Sequence, residues 1–220
     1  MDLEEFKKKI IKDNLSIDDT LGRIYSFIDF GNVNYWFSND IRDGDNNLLL
    51  EGNKLSIDLH GLFNFSNLIS LQSRFYYGHN PESIEFISKA KGIFGKRMVF
   101  TKPIQKIRHY LSAEEKEINT RNVESDYKGE FIYLPKCNFD VEICVDAIRL
   151  INQYDTFCLF SSDADFLSLI KYLKKNKKKI ILIKGGFVQY PLTKNSNLVI
   201  NAQNIKQYIT FIKQKSSPKS

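Results

Sequence analysis

The chain alternates short, uninterrupted apolar runs with longer stretches whose apolar residues recur at helical spacing, and that alternation leaves few folds open to it. A strand with one face in water alternates apolar and polar residues; a strand covered on both faces does not have to. Runs such as RIYSFID (23–29), TFCLFS (156–161) and KIILI (179–183) are of the second kind. With crossover helices between them they predict a parallel sheet covered on both faces.

The spacing predicts a helix over 3–14, with Leu3, Phe6, Ile10 and Ile11 on one stripe, and a first strand over Arg23–Asp29. The first turns of a helix are expected in NVNYWF (32–37), followed by a polar, turn-rich loop over 38–56. A strand at 74–80, a helix at 82–94 entered through Pro81, and a strand around 96–102 form a strand, helix, strand unit. Residues 103–135 break the pattern and read as a β-rich, hairpin-like insertion at the sheet rim. The alternation then resumes with helix 138–152, strand 156–161, helix 164–175, strands 179–183 and 197–201, and a last helix over 202–213. At 220 residues, 42% hydrophobic and 13% aromatic, the chain fits a single domain over 1–215 with a disordered tail at 216–220.

Several classes drop out early. No apolar run approaches the ~20 residues of a bilayer span, and the first residues carry charges rather than a signal-peptide core, so a cytoplasmic protein with no membrane partner is expected. Cys137, Cys144 and Cys158 lack C-x-x-C spacing and read as small buried hydrophobes, and His60, His79 and His109 nowhere stand four apart. A calcium loop at Asp43, Asp45 and Asn47 fails, because Leu48 stands where glycine is needed and Lys54 where a glutamate belongs.

Charge is more informative. The formal net charge is +6, and no acid occurs from 86 to 113, a window holding Lys89, Lys91, Lys96, Arg97, Lys102, Lys106 and Arg108. A second lysine cluster runs from Lys171 to Lys179. Such clusters either track a phosphate backbone or are ordinary solvated faces.

In an open parallel sheet, ligands bind outside the carboxyl ends of the strands, most often where strand order reverses. Asp29 closes the first strand, and Asp163 and Asp165 follow the strand ending at Ser161. Asp140 opens a helix that starts at the same edge, while Asp146 lies about 9 Å further along that helix, on the flank of the stripe Ile143, Ala147 and Leu150. Asp140 and Asp163 could serve as helix caps; Asp29 has no such use. Carboxylates gathered in one cleft cannot all ionise unless a cation sits among them. An oxygen-only donor set favours Mg²⁺ or Mn²⁺, and with basic flanks the substrate would be a phosphodiester. Tyr35, Trp36 and Phe166 could stack bases, although such residues more often fill a core.

FIDFGNVNYWF (27–37), KCNFDVEICVDAIRL (136–150) and FCLFSSDADFLSLIKYLKKNKKKIILIKGG (157–186) resemble, in order and spacing, three signature blocks of NYN domains of the LabA-like group, within the PIN-like nuclease superfamily. The resemblance implies a three-layer α/β/α fold with a mostly parallel sheet. It also implies a Mg²⁺- or Mn²⁺-dependent nuclease acting on single-stranded or structured RNA, with Asp29, Asp140, Asp146, Asp163 and Asp165 around the metal. Asn32, Lys136 and Ser161 match the family's substrate-contacting positions. Two departures are Phe30 and Ser162, each where the group commonly has glycine. A homodimer is a further expectation. The rival readings are a non-catalytic module that binds RNA or protein, and an aspartyl phosphotransfer enzyme, which would need an acid where Gly31 stands.

Overall fold

The computed structural model describes residues 3–214, so the tail expected at 216–220 lies outside the described residues. Helices, in chain order, are α1 (Leu3–Asn14), α2 (Phe30–Val33), α3 (Leu59–Ile69), α4 (Ile84–Phe94), α5 (Ala113–Ile118), α6 (Asp140–Arg149), α7 (Leu167–Lys175), α8 (Tyr190–Lys194) and α9 (Lys206–Ile209). Strands are β1 (Ile24–Asp29), β2 (Lys54–Ile57), β3 (Gln72–His79), β4 (Val99–Pro103), β5 (Gln105–Tyr110) and β6 (Glu124–Asp126). They continue with β7 (Gly129–Lys136), β8 (Thr156–Phe160), β9 (Lys179–Lys184), β10 (Leu198–Asn201) and β11 (Thr210–Lys213).

Six strands form the central sheet in the order β10-β9-β8-β1-β3-β4, every neighbouring pair parallel. Alternation within the apolar runs decides which face each residue serves. Ile28, Cys158, Phe160, Ile181 and Ile183 pack on one side with α3 and α4; Phe27, Phe157, Leu159, Ile180 and Leu182 pack on the other with α6 and α7. Two cores flank one sheet, which gives three layers. The chain starts at the centre, runs outward through β3 to β4, and returns to β8 on the other side of β1. Strand order therefore reverses between β1 and β8, and their carboxyl ends open the crevice.

The insertion is a separate three-stranded antiparallel sheet, β5-β7-β6, with α5 between its strands. A capping box starts α5: the Ser112 hydroxyl accepts from the Glu115 amide at 3.2 Å, and the Ser112 amide donates to Glu115 at 2.8 Å.

Three segments depart from the sequence reading. The helix after β1 begins at Phe30 and lasts one turn before a run of turns. The loop over 38–56 ends in a strand, β2, and α3 follows with Asp58 capping His60 and Gly61. The last helix stops at Ile209, and 210–213 form β11, antiparallel to β2. Ile209, Thr210 and Ile212 are β-branched and suit an extended strand once an edge is offered. All three cysteines are free, and no helix among the described residues is long and apolar enough to cross a membrane.

Candidate metal centre

β1 delivers Asp29 to the crevice, and the backbone turns at once into α2. Phe30 follows, but its ring packs on Phe75, Tyr77 and Phe86, so this departure from glycine is absorbed by the core. The half-buried Asp29 carboxylate accepts a hydrogen bond from Ser161 Oγ at 3.1 Å. Burial pushes its pKa up to about 6; Ser161 and the Asn32 amide oppose the rise, and Asp140 and Asp163 add to it.

β8 supplies the opposing wall. Ser161, fully buried, donates to Asp29 and accepts from the Asp163 amide at 3.2 Å, so one hydroxyl ties the ends of both strands together. Asp163 Oδ1 accepts from the Asp165 amide at 2.9 Å and sets the turn into α7. Asp140, the first residue of α6, is fixed by Asn138: the side-chain amide donates to Oδ2 at 2.6 Å and the Asp140 amide donates to Asn138 Oδ1 at 2.7 Å.

The result is a cluster in which carboxylate oxygens of Asp140, Asp163 and Asp165 lie within 4.8 Å of one another, with Asp29 beside them through Ser161. Among the described residues no lysine or arginine forms an ion pair with any of the four. The proton affinity of Asp140 is raised by burial and by Asp163 and Asp165, against the side-chain bond from Asn138 and the charge of Lys102. Carboxylates this close, without a basic partner, fit a hard divalent cation such as Mg²⁺ or Mn²⁺.

Asp146 does not join this cluster. It is 7% exposed, and both its oxygens are committed: Oδ2 to Arg74 Nη2 at 2.7 Å, Arg74 Nε at 3.1 Å and Tyr76 Oη at 2.8 Å, and Oδ1 to Arg149 at 2.7 Å. Of the two α6 acids only Asp140 stands in the cluster, and Asp146 instead fastens α6 to β3.

The other expected contacts divide. Asn32 Oδ1 accepts from the Ser162 amide at 3.0 Å and Trp36 Nε1 at 2.9 Å, so it braces the β8 turn from α2. Ser161 is buried in the bridge already described. Lys136 is exposed at the end of β7, where with Lys102, Gln105, Cys137 and Asn138 it lines a cavity of about 250 Å³. Lys102, Asn138 and Arg74 had not been singled out for the site; the spacing Asn138-x-Asp140, an Asx turn, was the readable signal for one of them.

The lysine clusters also separate. Lys178 donates to the Tyr154 carbonyl at 2.7 Å and Lys179 to that of Thr20, so this cluster lies at the amino ends of the strands, away from the acids. From the acid-free window, Lys102 stands at the carboxyl end of β4, paired with Glu142 at 2.7 Å, while Lys106 and Arg108 lie on β5, Arg108 paired with Asp126 at 3.1 Å.

Fold and crevice together define a three-layer α/β/α module of PIN-like type with an acidic cleft. The NYN domain family matches residues 23–201, and the chain belongs to that family. It is 30% identical over 78 residues to the low amplitude and bright protein LabA of Synechococcus elongatus. That match takes in 35% of this chain and 42% of LabA, so it spans less than half the length of that relative. A crystal structure of a protein of unknown function from Vibrio parahaemolyticus shares the fold, with a TM-score of 0.55 at 18% identity over 87% of this chain and 98% of that one.

Proposed function

We propose that the protein is a Mg²⁺- or Mn²⁺-dependent endoribonuclease of the cytoplasm. The observation that carries this reading is the convergence of four carboxylates from β1, α6 and the β8 turn on the switch point of the sheet, with no basic side chain among the described residues paired to them. Asp29, Asp140 and Asp163 would hold the ion. When bound, it would polarise the scissile phosphate and lower the pKa of water.

The chain's own residues do the rest. Asp165, the exposed member of the cluster, orients the attacking water and takes its proton on a carboxylate oxygen. Ser161 and Asn138 hold Asp29 and Asp140 in place. Lys136, with Lys102, offsets phosphate charge at the neighbouring cavity. The test is cleavage of RNA by the purified protein: Mn²⁺-stimulated cleavage that Asp163→Asn abolishes supports the reading. No cleavage of single-stranded or structured RNA, or cleavage indifferent to Asp163→Asn, counts against it.

A second reading is an RNA-binding module without turnover. The insertion favours it, because Arg108 stacks on Phe131 at 4.8 Å and on Tyr133 at 6.0 Å on a strand whose residues are exposed or half-exposed. A pure binder holds RNA in chelator, with a salt dependence set by its cations.

A further inference from the structure

We infer that the turn after β9 is a base-stacking subsite that selects an unpaired nucleotide beside the acids, with Phe187 as its centre. The inference rests on the ribonuclease reading and deepens it from RNA to RNA that is single-stranded at the cut.

Of the aromatics first considered for stacking, Phe166 is buried and Trp36 is stacked on Phe160 at 6.5 Å, which leaves Tyr35. The structure adds two others. Phe187 is 88% exposed and Tyr190 is 70% exposed, as is Tyr35. Exposure alone does not mark a site, since Tyr127 is 92% exposed as well; what sets Phe187 apart is its place beside the acids.

The position follows from hydrogen bonds. Ser162, next to Asp163, donates its hydroxyl to the Gly185 carbonyl at 2.7 Å and accepts from the Gly185 amide at 3.0 Å. Phe187 is two residues on, so its Cα is within about 7 Å of that anchor. The Trp36 side chain packs against Gly185, where an added Cβ would collide with the indole. Gly186 has φ 62°, a conformation that favours glycine. Two consecutive glycines, each with its own steric reason, therefore fix the turn that presents Phe187.

Charge agrees with a nucleotide as the occupant. Lys184 Nζ is held by the Gly186 carbonyl at 2.7 Å, and Lys194 Nζ lies 5.8 Å from the Tyr190 ring. Two ammonium groups, one on this turn and one beside the Tyr190 ring of the helix that follows, suit a base whose backbone phosphate sits alongside. A base inside a duplex has both faces covered by its neighbours and cannot offer one to the ring.

The experiment measures fluorescence anisotropy with the full chain in chelator, so that no cleavage intervenes. The probes are a labelled oligouridylate of about ten nucleotides, the same backbone without bases, and an RNA duplex. Phe187→Ala is expected to weaken oligouridylate binding about tenfold, within the range for losing one stacked base. Phe187→Trp is expected to restore it, and abasic binding should not change. Since the ring is almost wholly exposed, thermal stability should be unaffected. Unchanged oligouridylate affinity in Phe187→Ala overturns the subsite, including the case in which the ring docks a protein. An equal loss with the abasic strand overturns it as well. If the ribonuclease reading alone is wrong, Mn²⁺-stimulated cleavage is missing while the Phe187 difference persists. If the subsite alone is wrong, cleavage is present and its KM is indifferent to Phe187.

Discussion

Helix α6 carries two half-turned acids with opposite surroundings. Asp146 meets Arg74, Tyr76 and Arg149 and is satisfied on every side. Asp140 meets Asp163 and Asp165, and no basic side chain among the described residues pairs with it. The difference teaches how to read an acid in a parallel α/β sheet. A buried carboxylate with its own guanidinium is a fastening between elements. A carboxylate left among others raises its neighbours' proton affinity, a cost that a cation among them would relieve.

The largest effect expected from breaking this contrast is on the fastening side. Arg74→Ala leaves Asp146 buried beside Tyr76 without its main charge partner, and should destabilise the fold by about 3–5 kcal/mol in denaturant titration. A loss near zero would mean that Asp146 is not held as described. On the cluster side, Asp163→Asn should lower Mn²⁺-stimulated cleavage by more than about a hundredfold while leaving the unfolding midpoint in chelator unchanged or raised. Equal damage to activity and fold would erase the distinction between the two acids' roles.

Asp29→Asn sharpens the comparison through pH. With a folded pKa of about 6 against an unfolded value near ~3.9, the folded chain binds the extra proton in that window, so stability falls as pH rises through it. Above the window the penalty is complete. In chelator at high pH, Asp29→Asn should therefore melt about 5–10 °C higher than the parent, a gain that vanishes in acid, while cleavage is lost. A lower melting temperature would contradict the burial argument. Ser161→Ala should act more mildly, removing two hydrogen bonds of about 1 kcal/mol each and slowing cleavage about tenfold. Smallest of all, Lys178→Ala should leave RNA affinity within twofold or so, because it lies at the far edge of the sheet; a large loss would move the RNA path.

What the sequence disclosed follows the range of the interactions involved. The strands ending at Asp29 and Ser161 were readable because they are continuous apolar runs, and the order of connections then brought their ends together. The partner of Asp146 was not readable, since Arg74 stands 72 residues away and no local pattern links them. For the same reason 210–213 looked helical: β11 exists because β2 offers an edge, more than 150 residues earlier in the chain. The capping box at Ser112 and Glu115 was legible and lay unread within a charged stretch. The packing of Trp36 on Gly185 could not be read from the sequence either, because the two stand about 150 residues apart.

The most direct test is a crystal soaked in Mn²⁺ and recorded at the manganese edge. An anomalous peak among Asp29, Asp140 and Asp163, with none at Asp146, is the predicted result. A peak elsewhere, or none while the four carboxylates stand intact, would contradict the account.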